Sequence, residues 1–120
     1  MKIAVSASGQ DLDGAVDPRF GRCDTLMLID TETGEATVHG NELNMRAAQG
    51  AGIQTAKNVS ELGAEAVITG NIGPKAFKAL STVGIKVYLF KEGTIQQALD
   101  AFKAGELQEQ TDANVEGHWI

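Results

Sequence analysis

The second half of the chain alternates short apolar segments rich in β-branched residues with segments whose apolar residues recur at helical spacing. Residues Ala66 to Thr69 and Ile85 to Phe90 have the composition of buried strands. Between them, Pro74 stands at the first position of a predicted helix that ends before Gly84. Strands separated by helices usually lie parallel and are joined by right-handed crossovers. This alternation restricts the chain to a layered α/β fold.

Two further helices flank this unit. In Gly52 to Leu62, apolar residues recur every three positions, and Gly63 follows as a terminator; the predicted inward stripe is Ile53, Ala56, Val59 and Leu62. The last helix begins at a capping box formed by Thr94 and Gln97 and ends at Gly105.

The first part of the chain adds three strands. Lys2 to Ala7 is a short apolar run that enters a long Gly- and Asp-rich loop. Thr25 to Ile29 and Glu35 to His39 flank a polar turn, which indicates an antiparallel hairpin. The whole pattern predicts an α/β fold with a mixed five-stranded sheet and flanking helices.

Size and composition predict a single domain. The chain has 120 residues, of which 42% are hydrophobic, enough for one continuous core. We assign residues 1–107 to this domain and residues 108–120 to a polar C-terminal tail. Because Glu106 to Ile120 is largely polar, we expect it to be loose.

Charge and hydropathy limit the partners and the location. A formal charge of −6 argues against a nucleic-acid partner, which requires a basic surface. No apolar run approaches the roughly 20 residues that span a bilayer, and the N-terminus becomes polar too early for a secretory signal. The sequence therefore predicts a cytoplasmic protein that contacts no membrane.

Soft metal ligands are scarce. Cys23 is the single cysteine, and His39 and His118 are the two histidines, too few for a four-ligand zinc site. A cluster held by a full set of cysteine thiolates is excluded for the same reason. Cys23 itself has two interpretations, a soft metal ligand or a small buried apolar residue at the entry to a strand. Any cluster bound here must supply most of its own sulfur.

Three segments stand at strand ends or helix starts: Asp17 to Cys23, Gln49 to Ile53 and Thr69 to Lys75. In open α/β sheets, ligands bind outside the carboxyl ends of the strands, where such segments converge. A helix start preceded by glycine exposes N–H groups that bind anions, and Lys75 adds positive charge. Tight turns and helix caps are the alternative explanation for the glycines, and neither glycine pattern matches a nucleotide-binding fingerprint.

Two arginines flank Phe20 and Gly21. Arg19 and Arg22 are three residues apart, so they can direct two cations at one anion while Phe20 packs inward. Ion pairing with Asp17 or Asp24 is the alternative interpretation.

Three separated motifs resemble the dinitrogenase iron-molybdenum cofactor biosynthesis family. They are V-D-P-R-F-G-R-C at Val16 to Cys23, G-A-G-I-Q at Gly50 to Gln54, and V-I-T-G-N-I-G-P-K-A-F at Val67 to Phe77. The resemblance covers about Lys2 to Leu107. It implies a ribonuclease-H-like fold and a role in binding iron-molybdenum cofactor or its precursors. One relative carries a mixed molybdenum-copper sulfide cluster without strong covalent anchoring.

The sequence departs from the resemblance at one position. Many relatives have a histidine immediately before the glycine-rich helix start, where this chain has Gln49 followed by Gly50. We therefore expect backbone N–H groups and cations to hold the cluster. The predicted binding residues are Arg19, Arg22, Gly50, Gly52, Gly70, Asn71, Gly73 and Lys75, with Cys23 as a possible metal contact.

The leading hypothesis is thus a non-enzymatic carrier of an anionic metal-sulfide cluster, containing molybdenum with copper or with iron, that works with protein partners in delivery or assembly. A two-metal nuclease or phosphotransferase is one alternative, although the first strand offers Ser6 and no carboxylate for metal binding. A regulatory module that binds another protein is the other alternative.

Overall fold

The computed structural model describes residues 1–41 and 50–115. Within these ranges it contains five strands and three helices. The strands are β1 (Lys2–Ala7), β2 (Thr25–Asp30), β3 (Ala36–Gly40), β4 (Ala66–Thr69) and β5 (Lys86–Leu89). The helices are α1 (Ala51–Glu61), α2 (Pro74–Thr82) and α3 (Ile95–Lys103). The predicted order of elements is confirmed, with ends that differ by one or two residues.

The strands form one mixed sheet in the order β3-β2-β1-β4-β5. β1 is central, antiparallel to β2 and parallel to β4, and β4 is parallel to β5. The hairpin of β2 and β3 pairs Thr25 with Gly40 and Ile29 with Ala36. The predicted mixed five-stranded sheet is therefore confirmed.

Apolar side chains cover both faces of the sheet. Alternate residues of β1 point to opposite faces, so Ala4 joins one cluster while Ile3 and Val5 join the other. On the first face, Val59 of α1 and Leu80 of α2 are fully buried. On the second face, α3 contributes Ile95, Ala98 and Leu99. The sheet is thus sandwiched between α1 and α2 on one side and α3 on the other.

One residue of the predicted helix stripes lies outside the core. Ile53 is 47% exposed, whereas α1 buries Ala51, Thr55, Ala56 and Val59. A spacing of three residues drifts away from the helical period of 3.6, so Ile53 at the start of the stripe rotates out of the interface. It lies in the first turn of α1.

The segment after α3 is not loose as far as the structure describes it. Leu107 packs against the second core face. Glu109 bridges Tyr88 in antiparallel fashion, and the Gln110 N–H donates to the Val87 carbonyl at 2.7 Å. Backbone hydrogen bonds to the free edge of β5 are available to any sequence, which explains why polarity alone gave the wrong expectation. Residues 109 and 110 therefore lie along the free edge of β5.

Candidate functional site

The carboxyl ends of β1, β3, β4 and β5 lie at one edge of the sheet because these four strands run in the same direction. The loops that follow them meet there. Ala15 bridges Thr94 at the start of α3, and Arg19 bridges Asn71 after β4. The predicted segments Asp17 to Cys23 and Thr69 to Lys75 therefore meet at this edge.

The segment from Asp17 to Cys23 lies between the loop after β4 and the start of α1. The Phe20 N–H donates to the Asn71 carbonyl at 3.3 Å. A Cβ atom added to Gly70 would lie 2.7 Å from Cα of Pro18, and one added to Gly21 would lie 2.7 Å from the backbone nitrogen of Gly52. Real Cβ atoms do not approach so closely, so glycine is required for these backbones to touch. Both the first turn of α1 and the loop after β4 contact the arginine-containing segment.

Two helix N-termini lie side by side next to this segment. The N-cap residues are Gly50 for α1 and Gly73 for α2, neither start has a side-chain cap, and neither first turn contains an acidic residue. A Cβ added to Gly52 would lie 3.0 Å from Cβ of Ala76, so the two first turns are in contact. Each start carries the partial positive charge of a helix dipole. The arrangement concentrates positive potential at one edge of an acidic protein.

The predicted cations differ in their surroundings. The Arg19 side chain is 43% exposed, and its Nε atom lies 3.6 Å from Oδ1 of the buried Asp17. The Arg19 backbone N–H donates to the same oxygen at 2.9 Å. Part of the Arg19 charge therefore compensates Asp17, as the alternative interpretation had it. Arg22 is half-buried in the turn after Gly21, and Lys75 is exposed in the first turn of α2.

A buried polar network holds the start of the arginine-containing segment. The Ser6 hydroxyl donates to the Asp17 carbonyl at 2.8 Å and lies 2.7 Å from the Thr69 hydroxyl. The Asp17 N–H donates back to the Ser6 carbonyl at 2.8 Å. Ser6 lies near the carboxyl end of β1, and Thr69 is the last residue of β4. These two neighbouring strands therefore fix the position at which the arginine-containing segment leaves the sheet.

The Asn71 side chain forms hydrogen bonds to neighbouring loops. The sequence analysis predicted Asn71 as a ligand contact and did not predict these bonds. Its Nδ2 atom donates to the Pro18 carbonyl at 2.9 Å. Its Oδ1 atom accepts hydrogen bonds of 2.9 Å from Lys91 and from Asn114. Because these bonds use both acceptor positions of the amide oxygen, most of the hydrogen-bonding capacity of Asn71 stabilises the site.

Lys91 and Asn114 are site residues that the sequence analysis missed. The Lys91 ammonium group also donates to the Gly70 carbonyl at 3.0 Å. Lys91 lies in the loop after β5, and this loop follows a strand at the same edge of the sheet, which is the signal that would have pointed to it. Asn114 lies in the polar tail, where no sequence pattern distinguishes it.

Cys23 lies in the core and not in the site. Its side chain is fully buried among the residues of the first core face, and its Sγ atom accepts a hydrogen bond of 3.5 Å from Asn41. Burial raises the pKa of the thiol to about 12, and the charge of Asp17 adds to this shift. A buried, neutral thiol is unreactive, so metal binding at Cys23 would require the thiol to become exposed and deprotonated. The alternative interpretation, a small buried residue, describes the surroundings of Cys23, and its predicted metal contact stays a prediction.

The remaining candidate ligands in the sequence are His39, Gln49 and His118. The Nε2 atom of His39 lies 2.9 Å from the Thr37 hydroxyl on β3. His39 also lines a separate groove of about 300 Å³ between β3 and α1, together with Leu26, Gly40, Asn58, Glu61 and Leu62. Gln49 and His118 lie outside the described residues.

The described residues, 1–41 and 50–115, were compared with the requirements of a metal site and of a membrane-spanning helix. No group of three or more His, Cys, Asp or Glu side chains in these ranges is arranged to hold a metal ion. None of the helices in the same ranges has the length and apolar character needed to cross a membrane.

The chain is similar in sequence to a known family and to a known protein. A family model described as dinitrogenase iron-molybdenum cofactor matches residues 1–105. An uncharacterised protein of Methanocaldococcus jannaschii is 32% identical over 112 residues, which is 90% of each chain.

Two solved structures resemble the whole domain. The apo form of the orange protein from Desulfovibrio gigas is 40% identical with a TM-score of 0.92, over 95% of this chain and 96% of that one. An NMR structure from Thermotoga, described as a candidate NifB protein of the DUF35 family, is 37% identical with a TM-score of 0.83, over 97% and 98% of the two chains.

Proposed function

The chain belongs to the dinitrogenase iron-molybdenum cofactor family, and we propose that it binds and carries a preformed, anionic metal-sulfide cluster without catalysing a reaction. The cargo is a molybdenum-containing cluster, either a molybdenum-copper sulfide or iron-molybdenum cofactor or its precursor. The proposal includes a cytoplasmic location, a ribonuclease-H-like fold and protein partners that deliver or receive the cluster.

One observation carries the proposal: the two uncapped helix starts of α1 and α2 touch each other beside the segment that contains Arg19 and Arg22. Backbone N–H groups at a helix start bind anions through partial charge and hydrogen bonds, with no thiolate required. Lys75 adds a full positive charge in the first turn of α2. These groups are suited to a multiply charged anion with several acceptor atoms on its surface.

The chemistry of the side chains favours a cluster that brings its own sulfur. The single cysteine is buried in the core, so the described site offers nitrogen donors and cations instead of soft ligands. Sulfide atoms on the cluster surface accept hydrogen bonds from such donors. Ile53, exposed in the first turn of α1, adds apolar surface beside these donors.

Reconstitution under anaerobic conditions tests the proposal. Tetrathiomolybdate with copper(I), or isolated iron-molybdenum cofactor, is added to the apo protein, and the mixture is separated by gel filtration. We expect a visible chromophore and molybdenum to co-elute with the protein. The double variant Arg19→Gln with Arg22→Gln should retain several-fold less molybdenum and chromophore, because it removes two cations beside the helix starts.

The matched control is Lys57→Gln with Lys78→Gln, which removes the same charge from exposed positions beyond the first turns of α1 and α2. It should retain the chromophore like the wild type. Equal losses in both double variants would show a response to net charge alone and would refute this site. A wild-type protein that elutes free of molybdenum with every cluster would refute the function.

A further inference from the structure

The segment after α3 reaches the candidate site. From Glu109, which lies 3.9 Å from Lys86 in an ion pair, the segment follows the edge of β5. It then crosses to the loop between β4 and α2, where the N–H groups of Asn114 and Val115 donate to the Ile72 carbonyl at 3.2 and 3.4 Å. Residues 106–115 therefore contact the loop that carries Gly70 and Gly73.

Asn114 binds this loop through its side chain as well as its backbone. Its Oδ1 atom accepts the Ile72 N–H at 2.7 Å, and its Nδ2 atom donates to Oδ1 of Asn71 at 2.9 Å. Together with the backbone bonds to the Ile72 carbonyl, the residue satisfies both main-chain groups of Ile72. Ile72 itself is fully buried, and its N–H group would otherwise lack a partner among the described residues.

Lys91 holds the other side of the same loop. Its ammonium group donates to the Gly70 carbonyl and to Oδ1 of Asn71, so Asn71 receives bonds from two directions. Asn71 in turn contacts Pro18 in the arginine-containing segment. The bonds of Asn114 thus connect the C-terminal segment, through Asn71, to the part of the site that contains Arg19.

We propose that Asn114 is a positioning residue of the cluster site, through which the docked segment 106–115 fixes the conformation of the loop from Gly70 to Gly73. The loop sets the direction of the first N–H groups of α2, so its order determines how well they converge on an anion. This inference rests on the proposed function for its consequence in binding, but its structural part is testable without a ligand.

The first test is hydrogen exchange on the apo protein. In Asn114→Ala, the Ile72 amide loses its acceptor, and we expect it to exchange about tenfold faster than in the wild type. Asn114→Asp retains the oxygen acceptor and should restore most of the protection. Gln108→Ala, an exposed position in the same segment, is the matched control and should exchange like the wild type. Unchanged exchange in Asn114→Ala would overturn the proposal.

The second test measures retention of the copper-tetrathiomolybdate chromophore after transfer to metal-free buffer. We expect a half-life several-fold shorter in Asn114→Ala than in the wild type and in Gln108→Ala, with each protein held at the same interval below its own apo thermal midpoint. Equal half-lives despite faster exchange would overturn the positioning role. If the wild type holds no chromophore, the proposed function fails, and the exchange result still decides whether Asn114 orders the loop.

Discussion

Cys23 shows how burial decides the chemistry of a single side chain. The residue directly follows the two arginines in sequence, yet its thiol points into the core between the sheet and α1, where Asn41 donates to it. Burial removes solvation from the thiolate, and the carboxylate of Asp17 disfavours it further, so the pKa rises from 9.0 to about 12. The side chain acts as a small apolar residue.

A pH dependence of stability follows. In the unfolded chain the thiol ionises near its ordinary pKa, whereas in the folded protein it stays neutral up to about pH 12. Its contribution to stability is fully present below pH 9 and is lost as the pH rises from 9 towards 12. We expect the free energy of unfolding to fall more steeply over this range in the wild type than in Cys23→Ala.

Urea unfolding at pH 8 and pH 10.5 measures this difference. Cys23→Ala should be less stable than the wild type at pH 8, because a buried side chain has been shortened. The difference between the two free energies of unfolding should be smaller at pH 10.5, by a few kcal/mol or less. Other groups that titrate in this range are shared by both proteins and cancel. Parallel pH profiles would contradict a buried, neutral thiol.

At the scale of elements, the starts of α1 and α2 leave their N–H groups uncapped. Uncapped N–H groups are favourable for binding an anion and unfavourable for the stability of the helices. Neither helix has a side-chain cap or an acidic residue in its first turn, although such groups stabilise helix starts. The contrast lies within the same protein, because α3 begins with a complete capping box between Thr94 and Gln97. The two starts that converge on the site are the ones left open.

Lys75→Glu should therefore have opposite effects on stability and on binding. A negative charge in the first turn of α2 interacts favourably with the helix dipole and should raise apo stability by about 0.3–1 kcal/mol. The same charge repels an anionic cluster and should lower its retention. Thermal unfolding of the apo protein and the chromophore assay measure the two effects.

Lys78→Glu is the matched control for that variant. The residue is also an exposed lysine of α2 but lies one turn further along the helix, where the effect of the dipole is weaker. The stability of the apo protein and the retention of the chromophore should both change less in Lys78→Glu than in Lys75→Glu. Equal loss of retention in the two variants would contradict a site at the helix start.

Particular elements explain which features could be predicted from the sequence. Pro74 and the pair Thr94 and Gln97 are local signals, and they correctly marked two helix starts. The exposed position of Ile53 and the docking of residues 106–115 depend on tertiary geometry. So does the network of Asn71, Lys91 and Asn114, whose members are 20 or more residues apart in the chain. Hydrogen bonds over such separations leave no periodic pattern in the sequence.

At the scale of the whole molecule, the charge distribution matters more than the net charge. The chain carries a formal charge of −6, yet Arg19, Lys75 and Lys91 accompany two helix starts at one edge of the sheet. An acidic surface elsewhere disfavours nucleic acids and other extended anions, while a small, compact anion needs only the local positive region. This combination is consistent with a protein that carries a small charged cargo.

The most direct measurement of the central claim is an NMR titration of ¹⁵N-labelled apo protein with tetrathiomolybdate and copper(I). If the cluster binds where the two helix starts meet the arginine-containing segment, the largest amide shifts will fall on residues 19–22, 51–53 and 75–76. Shifts centred on the groove of His39, Asn58 and Glu61, or none at all, would contradict the account.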